Sequence, residues 1–271
     1  DELFGGYYTY LADRYARAMR LVPKPLRRTA LDLLRLWPVS DDKIGFEYKL
    51  KRFLSGSLLD PVEAHLYWNG TFSASEKRRL LAFDGDPDLS SLSSLLPPGA
   101  GNLDPLSQML WLDQVCYLPD DILYKCDRMS MAHALEVREP LLDHELMGWV
   151  SGLPVDLKLR GTEGKYLLKK SMEPYLPHDV LYRKKMGFSV PLAAWFRGPL
   201  AATIRSVVLG ERLASTGLFN QDYLREVVEA HQSGRRDYSV ILWTVLMFDA
   251  FLGQVLGMDG QSVFESERQA A

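Results

Sequence analysis

The 271-residue sequence predicts a mainly α-helical fold, and two observations carry this prediction. Apolar residues recur at helical spacing along most of the chain, as in Tyr7, Leu11 and Tyr15. No segment shows the sustained alternation of apolar and polar residues that a convincing β-sheet requires. Hydrophobic residues make up 47% of the composition, which is enough to bury a sizeable core.

Residues 1–83 are predicted to form an N-terminal block of helices. Pro23 and Pro25 end the first helix, because proline cannot continue the helical hydrogen-bond pattern. The predicted helices of this block span 7–20, 25–36, 41–54, 60–67 and 74–82. Basic residues are frequent near its beginning; a solvated face is the preferred interpretation, and contact with a polyanion is the alternative.

Residues 84–105 are rich in Asp, Ser, Pro and Gly and are predicted to form a long loop. Loops of this length are usually either functional or disordered. Residues 106–258 are predicted to form a helical core and 259–271 a frayed tail, with the whole chain forming one domain. The predicted helices of the core span 106–117, 119–134, 143–151, 163–173, 192–208, 220–233 and 237–256. The apolar run Val240–Phe248 should be buried on all sides.

The segment Leu118–Asp143 combines six carboxylates and three fixed positive charges with an apolar helical pattern. Pro119 fits the first turn of a helix, where its missing N–H costs nothing. The apolar face is predicted to be a buried stripe of Ile122, Cys126, Met129 and His133. Because the charges lie so close to a buried face, we interpret the segment as one wall of a site.

After Ala134 the helical period gives way to alternation, which indicates an extended segment. Pro140 restricts the preceding residue to extended geometry. Glu136 and Arg138 then project from the same side of the chain. Two interpretations stay open on spacing alone: groups of a functional site, or a structural ion pair.

Lys165 is the best single candidate for a catalytic residue, judged by its expected position at the start of a helix. Thr162 is expected to cap the following helix and to place Lys165 in its first turn, where a cation opposes the helix dipole. An unfavourable placement of this kind invites a functional explanation. The alternative is a lysine that extends its ammonium group into solvent from an exposed face.

Composition narrows the function classes. The formal net charge of −3 argues against a protein dedicated to binding nucleic acid or a membrane surface. Cys116 and Cys126 lie in apolar helical context, so buried thiols in a reducing, cytoplasmic compartment are expected rather than a disulfide. No apolar run is long enough to span a bilayer, and the five histidines do not adopt zinc-site spacing.

Four segments together resemble the synthetase domain of glutamine-hydrolysing asparagine synthetases. Leu118–Asp143 is similar to the family's Leu-Pro-Asp-Asp and Glu-x-Arg-x-Pro series. Asp1-Glu-Leu-Phe-Gly-Gly-Tyr7 resembles the second half of its acidic ATP-site motif. Gly164-Lys-Tyr-Leu-Leu-Lys169 resembles its catalytic-lysine segment, and Arg183-Lys-Lys-Met-Gly-Phe-Ser-Val-Pro191 resembles the basic loop that follows. The segments occur in the family's order, which makes the joint signal stronger than any one of them.

The resemblance implies the multi-helix C-terminal portion of an α/β adenine-nucleotide alpha-hydrolase-like synthetase domain. It implies ATP and Mg²⁺ as cofactors, and aspartate and glutamine-derived ammonia as reactants. Lys165 matches the lysine that stabilises charge as the carboxylate attacks ATP, and Glu136 is assigned to meet the incoming amine. The remaining assignments are substrate binding by Arg138, Asp127, Arg128 and Lys185, nucleotide binding by Glu2, Gly5 and Gly6, and Mg²⁺ binding by Asp1.

The family's Ser-Gly-Gly-x-Asp-Ser loop and its N-terminal glutaminase cysteine do not occur in this sequence. We therefore expect the chain to be the C-terminal piece of a longer ligase, and to be inactive alone. Exposed apolar faces should then favour self-association into a homo-oligomer. Two alternatives stay open: a synthetase that amidates another carboxylate or closes a β-lactam ring, and a non-catalytic helical interaction module.

Overall fold

The computed structural model describes residues 1–37, 46–83, 94–183 and 190–258. Helices dominate these ranges, which confirms the prediction of a mainly α fold. The first ten α-helices are α1 (Tyr8–Met19), α2 (Lys24–Arg35), α3 (Phe46–Ser57), α4 (Pro61–Asn69), α5 (Ala74–Leu80), α6 (Pro105–Leu112), α7 (Tyr124–Met131), α8 (His144–Ser151), α9 (Val155–Lys158) and α10 (Tyr166–Met172). They are followed by α11 (His178–Leu181), α12 (Leu192–Arg197), α13 (Ala201–Val208), α14 (Glu211–Ser215), α15 (Gln221–Gln232) and α16 (Ser239–Gln254).

The described residues contain a small antiparallel ladder, which is too short to overturn the expectation that the chain has no convincing β-sheet. Its strands are β1 (Leu159–Arg160) and β2 (Glu163–Gly164), with Leu159 opposite Gly164. Strands of two residues are too short to produce a detectable alternating pattern, which explains why the sequence did not reveal them. Two short 3₁₀ helices lie at Ala100–Asn102 and Pro140–Leu142.

Several predictions fall outside the described residues. These are the beginning of the predicted helix 41–54, the part of the predicted loop at 84–93, the assignment of Lys185, and the tail 259–271.

The helix predicted to begin at Pro119 in fact begins earlier. A π-helical segment, Asp113–Leu123, follows α6 directly and leads into α7, so Pro119 lies inside a helix. A wider turn accommodates a proline, which lacks the N–H and whose ring would clash with the preceding turn. The helix also ends earlier than predicted, at Met131, and Ala134 has a φ of 55°.

Three burial predictions are wrong within the described residues. Cys126, Met129 and His133 are exposed, although they repeat with a helical period. Val240 and Trp243 of the apolar run in α16 are also exposed. Periodicity identifies a helix face, but it does not identify what covers that face. Cys116 and Cys126 are free thiols, as expected, but Cys116 is only partly buried and Cys126 is exposed, so the expectation that both are buried is wrong.

The chain divides into two compact units, each assembled from separate stretches of sequence. The first, unit 1, comprises 1–24, 56–69 and 88–187; the second, unit 2, comprises 25–55, 70–87 and 188–271. The predicted division into 1–83, 84–105 and 106–258 within one domain stays a prediction.

Unit 1 is held together by two apolar clusters. In the larger cluster α1 and α6 bury Tyr10, Met109 and Leu112, with Leu159 of β1 packed against them. The smaller cluster consists of Leu3, Phe4 and Val150 at its centre, with Leu142, Leu146, Met147 and Leu168 around them. This second cluster fixes the first residues of the chain against α8 and α10.

Unit 2 has a single large core formed mainly by α12 to α16. Phe196, Leu224 and Leu242 are fully buried within it. In the described part of the chain, no helix combines the length and the apolar character needed to cross a membrane.

Candidate active site

The turn Asp1–Gly6 forms one side of the site. The Gly6 amide donates to the Asp1 carbonyl at 3.0 Å, and Gly5 adopts a φ of 66°, which favours glycine. Leu3 and Phe4 anchor the turn because their side chains are buried in the smaller cluster. The acidic and glycine positions are thereby held at the edge of unit 1.

Lys165 forms the opposite side of the site through an unusual backbone placement. Its amide donates to the Phe4 carbonyl at 2.8 Å, and its φ of 58° lies in the left-handed region. The helix begins only at Tyr166, so the expectation that Thr162 caps it, with Lys165 in its first turn, is wrong. The reason is tertiary: the β-ladder occupies Glu163 and Gly164, and the bond to Phe4 fixes Lys165 before the helix starts.

The Lys165 side chain reaches the acidic turn. Its Nζ lies 2.6 Å from Asp1 Oδ1, and the two side chains are 35% and 21% exposed. Burial lowers the pKa of Lys165, and the charge of Glu2 opposes that shift. A partly desolvated ammonium group interacts strongly with anions, so this geometry suits the stabilisation of phosphate charge.

Two glycines permit this close approach. A Cβ on Gly6 would lie far inside contact distance of Asp1 Oδ1 and Lys165 Cε. A Cβ on Gly164 would collide with the Gly5 carbonyl oxygen. A Cβ at Gly6 therefore displaces the Asp1 and Lys165 side chains, whereas a Cβ at Gly164 displaces backbone. The glycine of β2 lets the turn pack directly on the ladder.

A cavity of about 400 Å³ opens beside the turn. Its lining combines glycine backbone with three cationic side chains, Lys165, Lys169 and Arg183. Lys169 forms an ion pair with Glu163, and its Nζ lies 5.4 Å from the centre of the Tyr182 ring. Cationic side chains bind phosphates, and these three outnumber the one acidic side chain of the described lining, Glu163, so the cavity has the chemistry of an anion site.

Glu2 supports the turn from behind and does not line the cavity. Its carboxylate accepts a hydrogen bond from the Tyr7 hydroxyl at 2.6 Å, and its carbonyl accepts one from Gln114 Nε2 at 3.1 Å. Burial and the bond to Glu2 raise the pKa of Tyr7 far above its ordinary range. The predicted contact between Glu2 and the nucleotide stays a prediction.

Glu136 and Arg138 form an ion pair with each other, with side chains that are 67% and 86% exposed. The segment that carries them has no regular secondary structure. Neither residue lines the described cavity, and the same is true of Asp127 and Arg128, which are exposed on α7. The structure therefore brings Asp1, Gly5, Gly6 and Lys165 together and leaves the assignments on the charged segment as predictions.

The described residues contain no group of three or more His, Cys, Asp or Glu side chains arranged to hold a metal ion. Mg²⁺ in nucleotide sites is typically bound by one or two carboxylates together with phosphates and water. Asp1 does not line the cavity, but its carboxylate contacts Lys165, which does. The donor set fits a magnesium ion carried by a nucleotide and does not fit an ion held by protein side chains alone.

Comparison with known proteins places this site in a family. The asparagine synthase family model matches residues 1–253, which include the turn, the β-ladder and Lys165. The chain belongs to the asparagine synthase family. This confirms the resemblance seen in the four sequence segments. No solved structure matches the chain.

Proteins from several organisms are similar to this chain. A putative glutamine-hydrolyzing asparagine synthetase of Mycobacterium tuberculosis is 34% identical over 255 residues, which is 92% of this chain and 37% of that protein. Asparagine synthetase 1 of Bacillus subtilis is 30% identical over 255 residues, 92% of this chain and 38% of that protein. Amidase chyE of Penicillium rubens is 30% identical over 132 residues, 46% of this chain and 20% of that protein. The chain thus spans well under half the length of these relatives.

Proposed function

We propose that this chain is part of an ATP-dependent ligase that converts aspartate to asparagine with ammonia derived from glutamine. Its family membership and its relatives named as asparagine synthetases support the reaction class. The observation that carries the proposal is the acidic glycine turn held against Lys165 beside a cation-lined cavity. We further propose that these helices complete an adenine-nucleotide alpha-hydrolase-like domain. We also propose that the protein is cytoplasmic, because a reducing compartment keeps thiols such as Cys116 and Cys126 free.

The first step is adenylation of the substrate. A carboxylate oxygen of aspartate attacks the α-phosphorus of ATP, the bond from that phosphorus to the bridging oxygen breaks, and pyrophosphate leaves. The ammonium group of Lys165 stabilises the negative charge that develops on the phosphate oxygens. Lys169 and Arg183, on the same cavity wall, suit the binding of the departing pyrophosphate. Asp1 would hold Mg²⁺, which neutralises phosphate charge when it is bound.

The second step is amide formation. Ammonia attacks the acyl carbon of the aspartyl adenylate, the carbon–oxygen bond to AMP breaks, and the nitrogen loses a proton. A carboxylate near the acyl carbon can accept that proton, and Glu136 is our candidate for this role. Arg138 would then orient the adenylate, with Asp127 and Arg128 supporting that wall. The exposure of the Glu136–Arg138 pair leaves both side chains accessible to a substrate.

An isotope experiment on the intact protein tests the proposed reaction. Aspartate labelled with ¹⁸O in its side-chain carboxylate, ATP, Mg²⁺ and glutamine are expected to yield asparagine and AMP that carries one ¹⁸O atom. The label moves because the aspartate oxygen becomes an oxygen of AMP. Unlabelled AMP, or an absence of pyrophosphate release with every carboxylic acid supplied, would contradict the proposal and favour a non-catalytic helical module.

A related synthetase that acts on another carboxylate is the second candidate. This candidate is supported by the similarity to amidase chyE, a relative whose name is not that of an asparagine synthetase. Amidation of a different acid, or closure of a β-lactam ring, would use the same adenylation. Pyrophosphate release with another acid but not with aspartate would support this candidate.

The role of Glu136 can be separated from a structural one by Glu136→Gln. We expect the single-turnover burst of pyrophosphate to be nearly unchanged and asparagine formation to fall about 10²-fold or more, because only the second step loses its proton acceptor. The melting temperature should hardly change, since an exposed ion pair contributes about 0–1 kcal/mol. Both steps are followed in one assay that quantifies pyrophosphate and asparagine.

Glu226→Gln is the matched control for this variant. Glu226 forms an exposed ion pair with Arg79 at 2.6 Å in unit 2, and neither residue has a role in the proposed chemistry. It should leave both steps unchanged. Equal asparagine yields from Glu136→Gln and from the control would assign the Glu136–Arg138 pair to structure alone.

A further inference from the structure

Behind the acidic turn lies a network of buried polar side chains that the proposed chemistry does not use. Tyr10 and Asp13 come from α1, His65 and Asn69 from α4, and Asp113 from the start of the π-helical segment. His65 is fully buried, and Asp13 and Asp113 are 6% and 1% exposed. All five belong to unit 1, and none of them lines the cavity.

His65 lies between two carboxylates. Its Nδ1 is 2.6 Å from Asp13 Oδ2, and its Nε2 is 2.9 Å from Asp113 Oδ1. Because both ring nitrogens face carboxylate oxygens, both act as donors and the ring is an imidazolium. Tyr10 donates its hydroxyl to Asp113 Oδ2 at 2.6 Å, and Asn69 donates Nδ2 to Asp113 Oδ1 at 3.0 Å. These neutral donors stabilise the second negative charge.

The electrostatics agree with this arrangement. Burial by itself would lower the pKa of His65, but the hydrogen bonds and charges of Asp113 and Asp13 raise it to about 9. Burial raises the pKa of Asp13, and its contacts with His65 oppose that shift. Other ionisable groups also act on these residues: Arg17 on Asp13, Glu2 and Tyr7 on Tyr10, and Tyr7, Cys116 and Tyr117 on Asp113.

The network is joined to the acidic turn by two routes. The Tyr10 ring stacks on the His65 imidazole at 5.7 Å and lies 5.9 Å from the Tyr7 ring, whose hydroxyl binds the Glu2 carboxylate. Gln114, the residue after Asp113, binds the Glu2 carbonyl. Any shift of α1 or of the π-helical segment relative to His65 therefore reaches Glu2 from two sides.

We propose that His65, paired with Asp13 and Asp113, is a positioning residue that sets the location of the Asp1–Gly6 turn at the nucleotide side of the cavity. The consequence of this positioning for catalysis rests on the proposed function. The positioning of the turn by His65 does not. A buried ion pair is a poor source of stability compared with apolar packing of the same volume. Its directional hydrogen bonds, in contrast, hold α1, α4 and the π-helical segment in one arrangement, which apolar contacts alone would not specify.

The test uses His65→Gln in the intact protein, with His231→Gln as the matched control. His231 is also fully buried, lies in unit 2, and accepts a hydrogen bond at Nδ1 from the Tyr238 amide. Hydrogen exchange without nucleotide reports the turn through two amides, that of Gly6 bonded to Asp1 and that of Lys165 bonded to Phe4. We expect their protection factors to fall in His65→Gln and to stay unchanged in the control.

Nucleotide affinity gives the second measurement. We expect His65→Gln to weaken binding of Mg²⁺–ATP by about 10- to 100-fold, as the loss of a supporting hydrogen bond typically does for a ligand site. The control should bind with unchanged affinity, even where its melting temperature falls as much. Where the glutamine variant does not fold, Tyr10→Phe removes one bond to Asp113 without changing the charge, and is expected to lower the same protection factors.

A pH series excludes a merely structural role. The folded pKa of His65, about 9, exceeds its ordinary value of 6.5, so its contribution is complete below pH 6.5 and is lost as pH rises through about 9. Protection factors, corrected for intrinsic exchange, should therefore fall at Gly6 and Lys165 above about pH 8 in the wild type. In His65→Gln the protection factors should stay level across that range. Lys165 is present in both proteins, so it cannot cause a difference between the two pH profiles.

The outcomes are distinguishable. Equal protection at Gly6 and Lys165 in wild type and His65→Gln, or an identical pH profile, would overturn the positioning role. Absence of Mg²⁺–ATP binding in the wild type would defeat the proposed function, and the exchange data would still decide whether His65 positions the turn. Loss of protection at both the turn and the Leu242 amide of unit 2 would indicate general loosening and would also overturn the inference.

Discussion

Lys165→Ala in the intact protein is expected to lower aspartate-dependent pyrophosphate release by about 10²- to 10³-fold, the usual cost of removing one donor that stabilises transition-state charge. The Lys165 ammonium is partly desolvated and lies 2.6 Å from Asp1 Oδ1, so alanine removes the cation nearest the acidic turn. The backbone bond from residue 165 to the Phe4 carbonyl survives, because alanine keeps its amide. The melting temperature should therefore change little.

Lys170→Ala is the control for that experiment. Lys170 lies on α10, the helix that follows Lys165, is exposed, and pairs with Glu173 at 2.9 Å, so it is close to Lys165 in sequence but differs from it in environment. Its removal should leave pyrophosphate release unchanged. A wild-type rate in Lys165→Ala, or a rate loss matched by a large fall in melting temperature, would assign Lys165 to scaffold and favour a non-catalytic module.

A conservative variant refines the assignment. Lys165→Arg keeps the charge but spreads it over a planar group that needs more room. Because the lysine Cε lies close to Gly6, the larger guanidinium does not fit the same space. We expect only partial recovery of the rate, which would distinguish a point-charge role from simple neutralisation of Asp1.

Local sequence patterns predicted the helices well because helical periodicity is a local property. The prediction of 7–20 for α1 and of 220–233 for α15 lies within a residue or two of the observed Tyr8–Met19 and Gln221–Gln232. The acidic turn and Lys165 were also identified from short motifs. Their direct pairing was not, because it depends on a contact between residues more than 160 positions apart.

The failures share one physical origin, which is that tertiary contacts decided the outcome. Lys165 was expected inside a helix, but its bond to Phe4 and the β-ladder hold it outside. Cys126 and Met129 follow a helical period, yet they are exposed. The network around His65 was not predicted at all. It depends on contacts with residues distant in sequence, such as Asp113, 48 positions away.

Substitution of the two glycines is expected to separate the geometry of the site from the stability of unit 1. In Gly6→Ala the new methyl group meets only the ends of the Asp1 and Lys165 side chains, which can move aside. We expect pyrophosphate release to fall about 10²-fold, because small displacements of reacting groups are costly, while the melting temperature hardly changes. Assay and thermal unfolding of the same preparation measure both quantities.

In Gly164→Ala the methyl group instead meets the Gly5 carbonyl, which is backbone and cannot rotate away. The turn and β2 must separate, so we expect a loss of about 1–3 kcal/mol in the free energy of unfolding together with the loss of activity. Gly148→Ala, in α8 of the same unit with open space around its Cβ, should be neutral or stabilising. If Gly6→Ala kept full activity, the pairing of Asp1 with Lys165 would have no part in catalysis. If Gly164→Ala kept wild-type stability, the turn would not rest on the ladder as described.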